Sequence, residues 1–192
     1  MKELEERILK DGIAIGDDIL KVDSFLNQQI DTALLDNMGK EIAKIFADEK
    51  PTKVLTVEAS GIAIAAAAAF HMGKLPMVFA KKSKPSTMVD DFYTAESFSF
   101  TKGTKSNLYV SKKYIGPGER ILIVDDFLAM GNSGLALCDI VKQAGATVVG
   151  YTAAVEKQYQ GGADKIRELG VKVQSLAVIK EMHDGKITFE EE

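Results

Sequence analysis

In Ile121-Leu122-Ile123-Val124-Asp125-Asp126-Phe127-Leu128-Ala129-Met130-Gly131-Asn132-Ser133, an apolar run meets two adjacent acids and then a loop of small residues. Four consecutive apolar residues predict a strand, Arg120–Val124, buried on both faces and ended by Asp125-Asp126. Asn132-Ser133-Gly134 opens the next helix, expected over 132–144. In an open α/β sheet, ligands bind beyond the carboxyl ends of the strands, where this loop falls. A helix start offers unpaired N–H groups, the positive end of a dipole and here a hydroxyl, which together suit a phosphate. Gly131 lets the backbone come close to that anion. The acids cannot share the same phosphate, because like charges repel, but carboxylates accept hydrogen bonds from a sugar diol. A terminal phosphate beside a diol describes a ribose 5-phosphate. The plain alternative is two acids capping a strand and a glycine making a turn; it leaves the adjacent acids, glycine and hydroxyl together unexplained.

Working outward, strands and helices alternate. Lys53–Val57 reads as a strand, followed by Glu58-Ala59-Ser60-Gly61 and an Ala-rich helix to Met72. Pro76–Ala80 is a second strand, and beyond the central stretch lie strand 147–155, helix 164–169 and strand 171–179. Gly145 stands where the residue after a helix end belongs. This order predicts an α/β fold, a mainly parallel sheet covered by helices on both faces. Residues 2–10 and 31–48 read as amphipathic helices, the second capped by Asp31. Lys21–Ile30 between them reads as too polar and irregular for a core element. Residues 81–119, rich in Lys, Ser, Thr and Asp, read as a β-arm with extended pieces at 97–100 and 107–114. An insertion of that length between parallel strands is also where a lid over a site would lie.

The chain has 192 residues, enough for one medium domain, 1–192. With 24 Lys+Arg against 28 Asp+Glu, the net charge of −4 argues against a basic surface for nucleic acid. No stretch suits a secretory signal or a membrane span, so the expectation is a cytoplasmic protein with neither nucleic-acid nor membrane partner. Cys138 is the single cysteine, which excludes an internal disulfide. His71 and His183 lack ligand-spaced partners and predict no protein-held metal.

The stretch Val124–Ser133 resembles the phosphoribosyl-diphosphate (PRPP) signature of type I phosphoribosyltransferases. Leu20–Asn27, Glu58–Gly61 and Val155-Glu156-Lys157 extend the resemblance over nearly the whole chain to the bacterial xanthine phosphoribosyltransferases. Met130 departs from the broader signature, which usually has threonine there. The resemblance implies a type I phosphoribosyltransferase fold with a small N-terminal hood, residues 1–30, over the base. It implies a purine-salvage pentosyltransferase that joins PRPP and N9 of xanthine into xanthosine 5′-monophosphate and pyrophosphate. Asp125 and Asp126 would be catalytic. Ala129, Met130, Gly131, Asn132, Ser133, Glu58, Ala59, Ser60, Lys81 and Lys82 would hold PRPP. Relatives often carry a non-proline cis peptide in the loop matching Glu58–Gly61. Leu20, Asn27, Phe127 and Lys157 would bind xanthine, with Lys157 donating to an oxo group that adenine lacks. Mg²⁺ would arrive with PRPP rather than in a protein cage, and the protein would be a homodimer. A guanine/hypoxanthine or adenine phosphoribosyltransferase would share the ribose machinery and differ only in base-reading residues. A PRPP-sensing regulator fits less well, because about thirty residues precede the first core helix and no helix-turn-helix pattern is visible.

Overall fold

The computed structural model describes residues 1–84, 91–99 and 104–190. Its core is a six-stranded sheet of β3 (Lys53–Val57), β4 (Met77–Ala80), β7 (Arg120–Leu128), β8 (Thr147–Lys157), β9 (Ala177–His183) and β10 (Lys186–Phe189), ordered β10-β9-β8-β7-β3-β4. All neighbours pair in parallel except β10, which folds back antiparallel on β9. Parallel strands need crossover helices, and these bury both faces. Leu122 and Val124 of β7 face a layer built with α1 (Lys2–Asp11), α2 (Thr32–Ile45) and α3 (Gly61–His71). Ile121 and Ile123 face α4 (Asn132–Gln143) and α5 (Gly162–Arg167). Burying one such side chain contributes about 1.5–3 kcal/mol, so the apolar run of β7 anchors both layers at once. At the head of α2 the Asp31 carboxylate accepts from the Ala33 and Leu34 N–H groups at 3.1 Å, the expected cap.

Four expectations change. β7 does not stop at Val124: it pairs with β8 through Asp125, Phe127 and Leu128, so both acids sit inside the strand. The last core strand starts at Ala177 rather than Val171, with Val173 making only an isolated bridge to Tyr151. It then turns through Asp184-Gly185, both at positive φ, into β10. That dipeptide is a strong two-residue hairpin signal, and it was legible in the sequence. The polar segment Lys21–Ile30 is not outside the core. Val22, Phe25 and Leu26 are buried at helical spacing, on a wide turn closed by the Gln28 N–H to the Asp23 carbonyl. Before it, β1 (Ile13–Ile15) and β2 (Ile19–Lys21) form an unforeseen hairpin.

The β-arm exists as an antiparallel pair, β5 (Phe92–Ser99) with β6 (Thr104–Ser111), longer and earlier than the sequence suggested. Residues 85–90 and 100–103 of the expected arm, Phe100 included, lie outside the described residues. Ala95, Leu108 and Val110 pack into the α4 layer, and Lys81 joins the arm by a two-way backbone bridge with Tyr109 at 2.9 Å.

Candidate active site

A cavity of about 870 Å³ opens at the carboxyl ends of β7 and β8. It is lined by Asp125, Phe127 and Leu128 of β7, the loop Ala129-Met130-Gly131 and the first turn of α4, Asn132-Ser133-Gly134. Tyr151 and Lys157 of β8, Tyr159, Gln160, and Asp18 and Ile19 of the hood complete it.

The end of the cavity at the start of α4 is made by backbone. Gly131 sits at φ +81°, a left-handed conformation that places the loop over the start of α4. A Cβ at Gly131 would lie 2.9 Å from the Gly162 carbonyl oxygen. The Gly162 N–H in turn donates to the Ala129 carbonyl at 3.0 Å. Two glycine-bearing loops therefore press together and leave the α4 amides facing the cavity. The Ser133 hydroxyl lies 3.5 Å from that of Ser97 on the arm.

Asp125 does not stand open to solvent at the end of the apolar run. It is only 3% exposed, and its Oδ2 accepts from the Tyr151 hydroxyl at 3.2 Å while Oδ1 accepts from the Asp126 N–H at 2.9 Å. Burial first, and then the Asp126 charge, push the Asp125 carboxyl well above the usual carboxylate range. Asp126 is half-buried and is not among the residues lining the cavity.

The Glu58–Ala59 peptide is cis, and Ser60 stands at the head of α3 without a side-chain capping bond. Neither Glu58, Ala59 nor Ser60 lines the cavity, but their loop adjoins it: a Cβ at Gly61 would stand 3.3 Å from Asp125 Oδ1. Glu58 accepts the Lys82 N–H at 2.7 Å, tying this loop to the exit of β4. The Lys81 ammonium lies 5.8 Å above the Phe79 ring, and neither Lys81 nor Lys82 lines the cavity.

At the other end, Lys157 is 9% exposed, donates to the Asp18 carbonyl and lies 5.6 Å above the Phe127 ring. Burial lowers its affinity for its proton, partly countered by Asp18. Phe127, half-buried, packs against the core and walls the cavity. The sequence reading missed Tyr159, whose hydroxyl donates to the Asp17 carbonyl at 2.9 Å, and Gln160, whose amide donates to Asp18 Oδ1 at 3.2 Å. No local pattern marked them; they matter because the hood turn lands on them. Leu20 is buried in the core and Asn27 is half-buried, and neither lines the cavity. The Asn27 Oδ1 is buried without a hydrogen-bond partner.

His183, read from the sequence as lacking ligand partners, has Asp17 and Asp184 beside it, brought there by the fold rather than by spacing along the chain. Among the described residues, the one group of three acidic or histidine ligand atoms close together is Asp17, His183 and Asp184, exposed and on the hood side. The oxygen donors of Asp125 and Asp126, one of them already held by tyrosine and amide, fit Mg²⁺ that keeps waters and substrate oxygens as its main ligands.

The sequence profile of the Phosphoribosyl transferase domain matches residues 26–184. The xanthine phosphoribosyltransferase of Ruminiclostridium cellulolyticum is 51% identical over 191 residues, covering 100% of both chains. That of Bacillus cytotoxicus is 48% identical, covering 98% of this chain and 95% of its own. Among solved structures, an adenine phosphoribosyltransferase from Thermoanaerobacter pseudethanolicus superposes with a TM-score of 0.73. It covers 91% of this chain and 98% of its own at 24% identity, a likeness of fold. The mostly parallel sheet with its flanking helices is the type I phosphoribosyltransferase fold, and the chain belongs to the phosphoribosyltransferase family, in the branch of its xanthine phosphoribosyltransferase relatives.

Proposed function

We propose that this chain transfers the 5-phosphoribosyl group of PRPP to N9 of xanthine, giving xanthosine 5′-monophosphate and pyrophosphate, a purine-salvage reaction of the cytoplasm. The observation that carries the reading is one cavity with an amide-lined helix start and a carboxylate at one end and a buried lysine at the other. The 5-phosphate sits on the α4 amides and Ser133, and Asp125 with Asp126 accepts from the ribose hydroxyls. The bond from C1′ to pyrophosphate breaks as the N9–C1′ bond forms, and the proton from N9 leaves with the departing pyrophosphate. Positive charge then develops on the ribose ring, and the two carboxylates stabilise it where water is excluded. Asp125 and Asp126 are the residues that would hold Mg²⁺ arriving with PRPP, and the ion would supply neutralising charge for the pyrophosphate. The loop Glu58-Ala59-Ser60 and Lys81 or Lys82 receive that leaving group.

Phe127 stacks beneath the base, Lys157 donates to its 6-oxo group, and Asn27 reads the 2-position with Leu20 packing over it. A lysine donor favours oxopurines over adenine, which offers an amino group there. Initial rates with xanthine, guanine, hypoxanthine and adenine, with and without Mg²⁺, test this. Xanthine is expected fastest and adenine inert, and equal turnover of adenine and xanthine would reject the reading. The enzyme works as a two-fold homodimer, with Lys81 or Lys82 approaching the partner's site. Sedimentation giving an active monomer at micromolar concentration would rule that out.

A further inference from the structure

The proposed reaction leaves one buried group of the cavity without a task. Tyr151 of β8 is fully buried, pairs in register with Ile123 of β7, and reaches along the sheet so that its hydroxyl meets the Asp125 carboxylate at 3.2 Å. Its backbone is fixed from behind, with its N–H on the Lys172 carbonyl at 2.9 Å and its carbonyl taking the Gln174 N–H at 3.1 Å. Its ring lies against the first turn of α4. A Cβ at Gly134 would stand 2.8 Å from the ring's Cε2 and 2.7 Å from Ile166 Cδ1. One rigid side chain thus touches both the acid at the ribose end and the helix start at the phosphate end.

A phenylalanine would fill the same space without a hydroxyl to desolvate, so packing alone does not account for tyrosine here. The hydroxyl's hydrogen-bond partner is the cavity's own carboxylate. That carboxylate faces Asp126 on its own strand, Tyr151 from β8 and Gly61 at the head of α3, and of these the tyrosine is the neutral donor that favours its charged form. We propose that Tyr151 is a positioning residue: its hydroxyl fixes the Asp125 carboxylate while its ring sets the first turn of α4, so that acid and phosphate cradle keep one spacing.

This rests on the ribose-site role given to Asp125 above. The test uses the full chain and measures initial rates over varied PRPP and xanthine, together with thermal melting. Tyr151→Phe keeps the ring, so melting is expected to stay within a few degrees of wild type. kcat is expected to fall about tenfold, the loss of one hydrogen bond to a charged group, with KM for xanthine unchanged within about twofold. Gly134→Ala pushes the ring aside and should give the same signature, and the double variant should lose no more than about the worse single one. A Tyr151→Phe enzyme with kcat within about twofold of wild type overturns the proposal and leaves the reaction standing, whatever its melting temperature. So does a loss confined to KM for xanthine, or a double variant whose losses multiply. An inactive wild type overturns the reaction and this role with it.

Discussion

The two ends of the cavity are built in opposite ways. At the ribose-phosphate end, the tip of β7 and the start of α4 come from one continuous stretch, 121–134, locked by a buried tyrosine and by glycine against glycine. At the base end, the hood turn Gly16–Asp18 is held by contacts to Lys157, Tyr159, Gln160 and His183, more than 135 positions later in the chain. The first end is stiff because the Asp125 carboxylate is buried with both oxygens hydrogen-bonded, and an alternative arrangement would strand it. The second is a polar latch whose contacts, apart from that of the buried Lys157, lie at the surface and compete with water. Chemistry that must stabilise developing charge belongs at the stiff end, and a base that must enter and leave belongs under the latch.

The largest effect should come from breaking the stiff end. Asp125→Asn with Asp126→Asn should lower kcat/KM by more than about a hundredfold while the fold survives. The sign of the stability change follows from Asp125. Its carboxyl in the folded chain sits above its ordinary value, through burial first and the Asp126 charge second. The folded state therefore holds that proton more tightly than the unfolded one, and this group's contribution to stability falls as pH rises through the window above the ordinary carboxylate value. Asp125→Asn removes that penalty. The single variant should melt above wild type at neutral pH, with the gap closing in acid. A variant that melts lower at neutral pH but keeps full activity would invert the comparison, making the acid structural.

The contrast also explains what the sequence could tell. The ribose-phosphate end is local, so thirteen residues carry strand, acids, glycine and helix start. What stayed hidden there was how the acid is tolerated. Charges at 125 and 126 read as a strand end because the tyrosine that lets β7 continue lies on the neighbouring strand. The hood was opaque for the same reason at larger scale: Asp17 and Asp18 have no local partners, and their meaning depends on how β8 and β9 end. Within the hood, Val22, Phe25 and Leu26 did carry a helical spacing, but Lys21, Asp23 and the polar Asn27-Gln28-Gln29 diluted it.

The next largest effect should fall where the two ends meet. Lys157 lies above Phe127 and also holds the hood through the Asp18 carbonyl, so Lys157→Ala removes the proposed base donor and a latch together. A loss of about thirtyfold in kcat/KM is expected on xanthine, guanine and hypoxanthine alike, with no gain on adenine. Competition assays among the four bases check it. A gain of adenine turnover would mean that the lysine excludes adenine rather than recruiting an oxo group.

Asn27 should give a smaller, more selective change. Its buried Oδ1 has no partner in the chain, and the Nδ2 of the same amide is the donor that a 2-oxo group would accept from. Asn27→Ala should cut the preference for xanthine over guanine about fivefold, near the lower end of a lost buried hydrogen bond. Equal losses on both bases would place the reading of the 2-position elsewhere on the hood.

The smallest effect tests the latch itself. Asp17 accepts from the Asp184 N–H at 3.3 Å, lies 3.2 Å from His183 Nδ1, and lends its carbonyl to Tyr159. Asp17→Ala leaves the carbonyl bond and removes only the side-chain contacts, both at the surface. Exposed contacts of this kind contribute about 0–1 kcal/mol and are weakened by salt. KM for xanthine should therefore rise no more than about threefold, kcat should hold, and the difference from wild type should shrink as salt is added. Steady-state rates at low and high salt measure all three. A kcat that falls more than about tenfold would place the hood turn inside the chemical step, and the division between a stiff chemical end and a loose gate would fail.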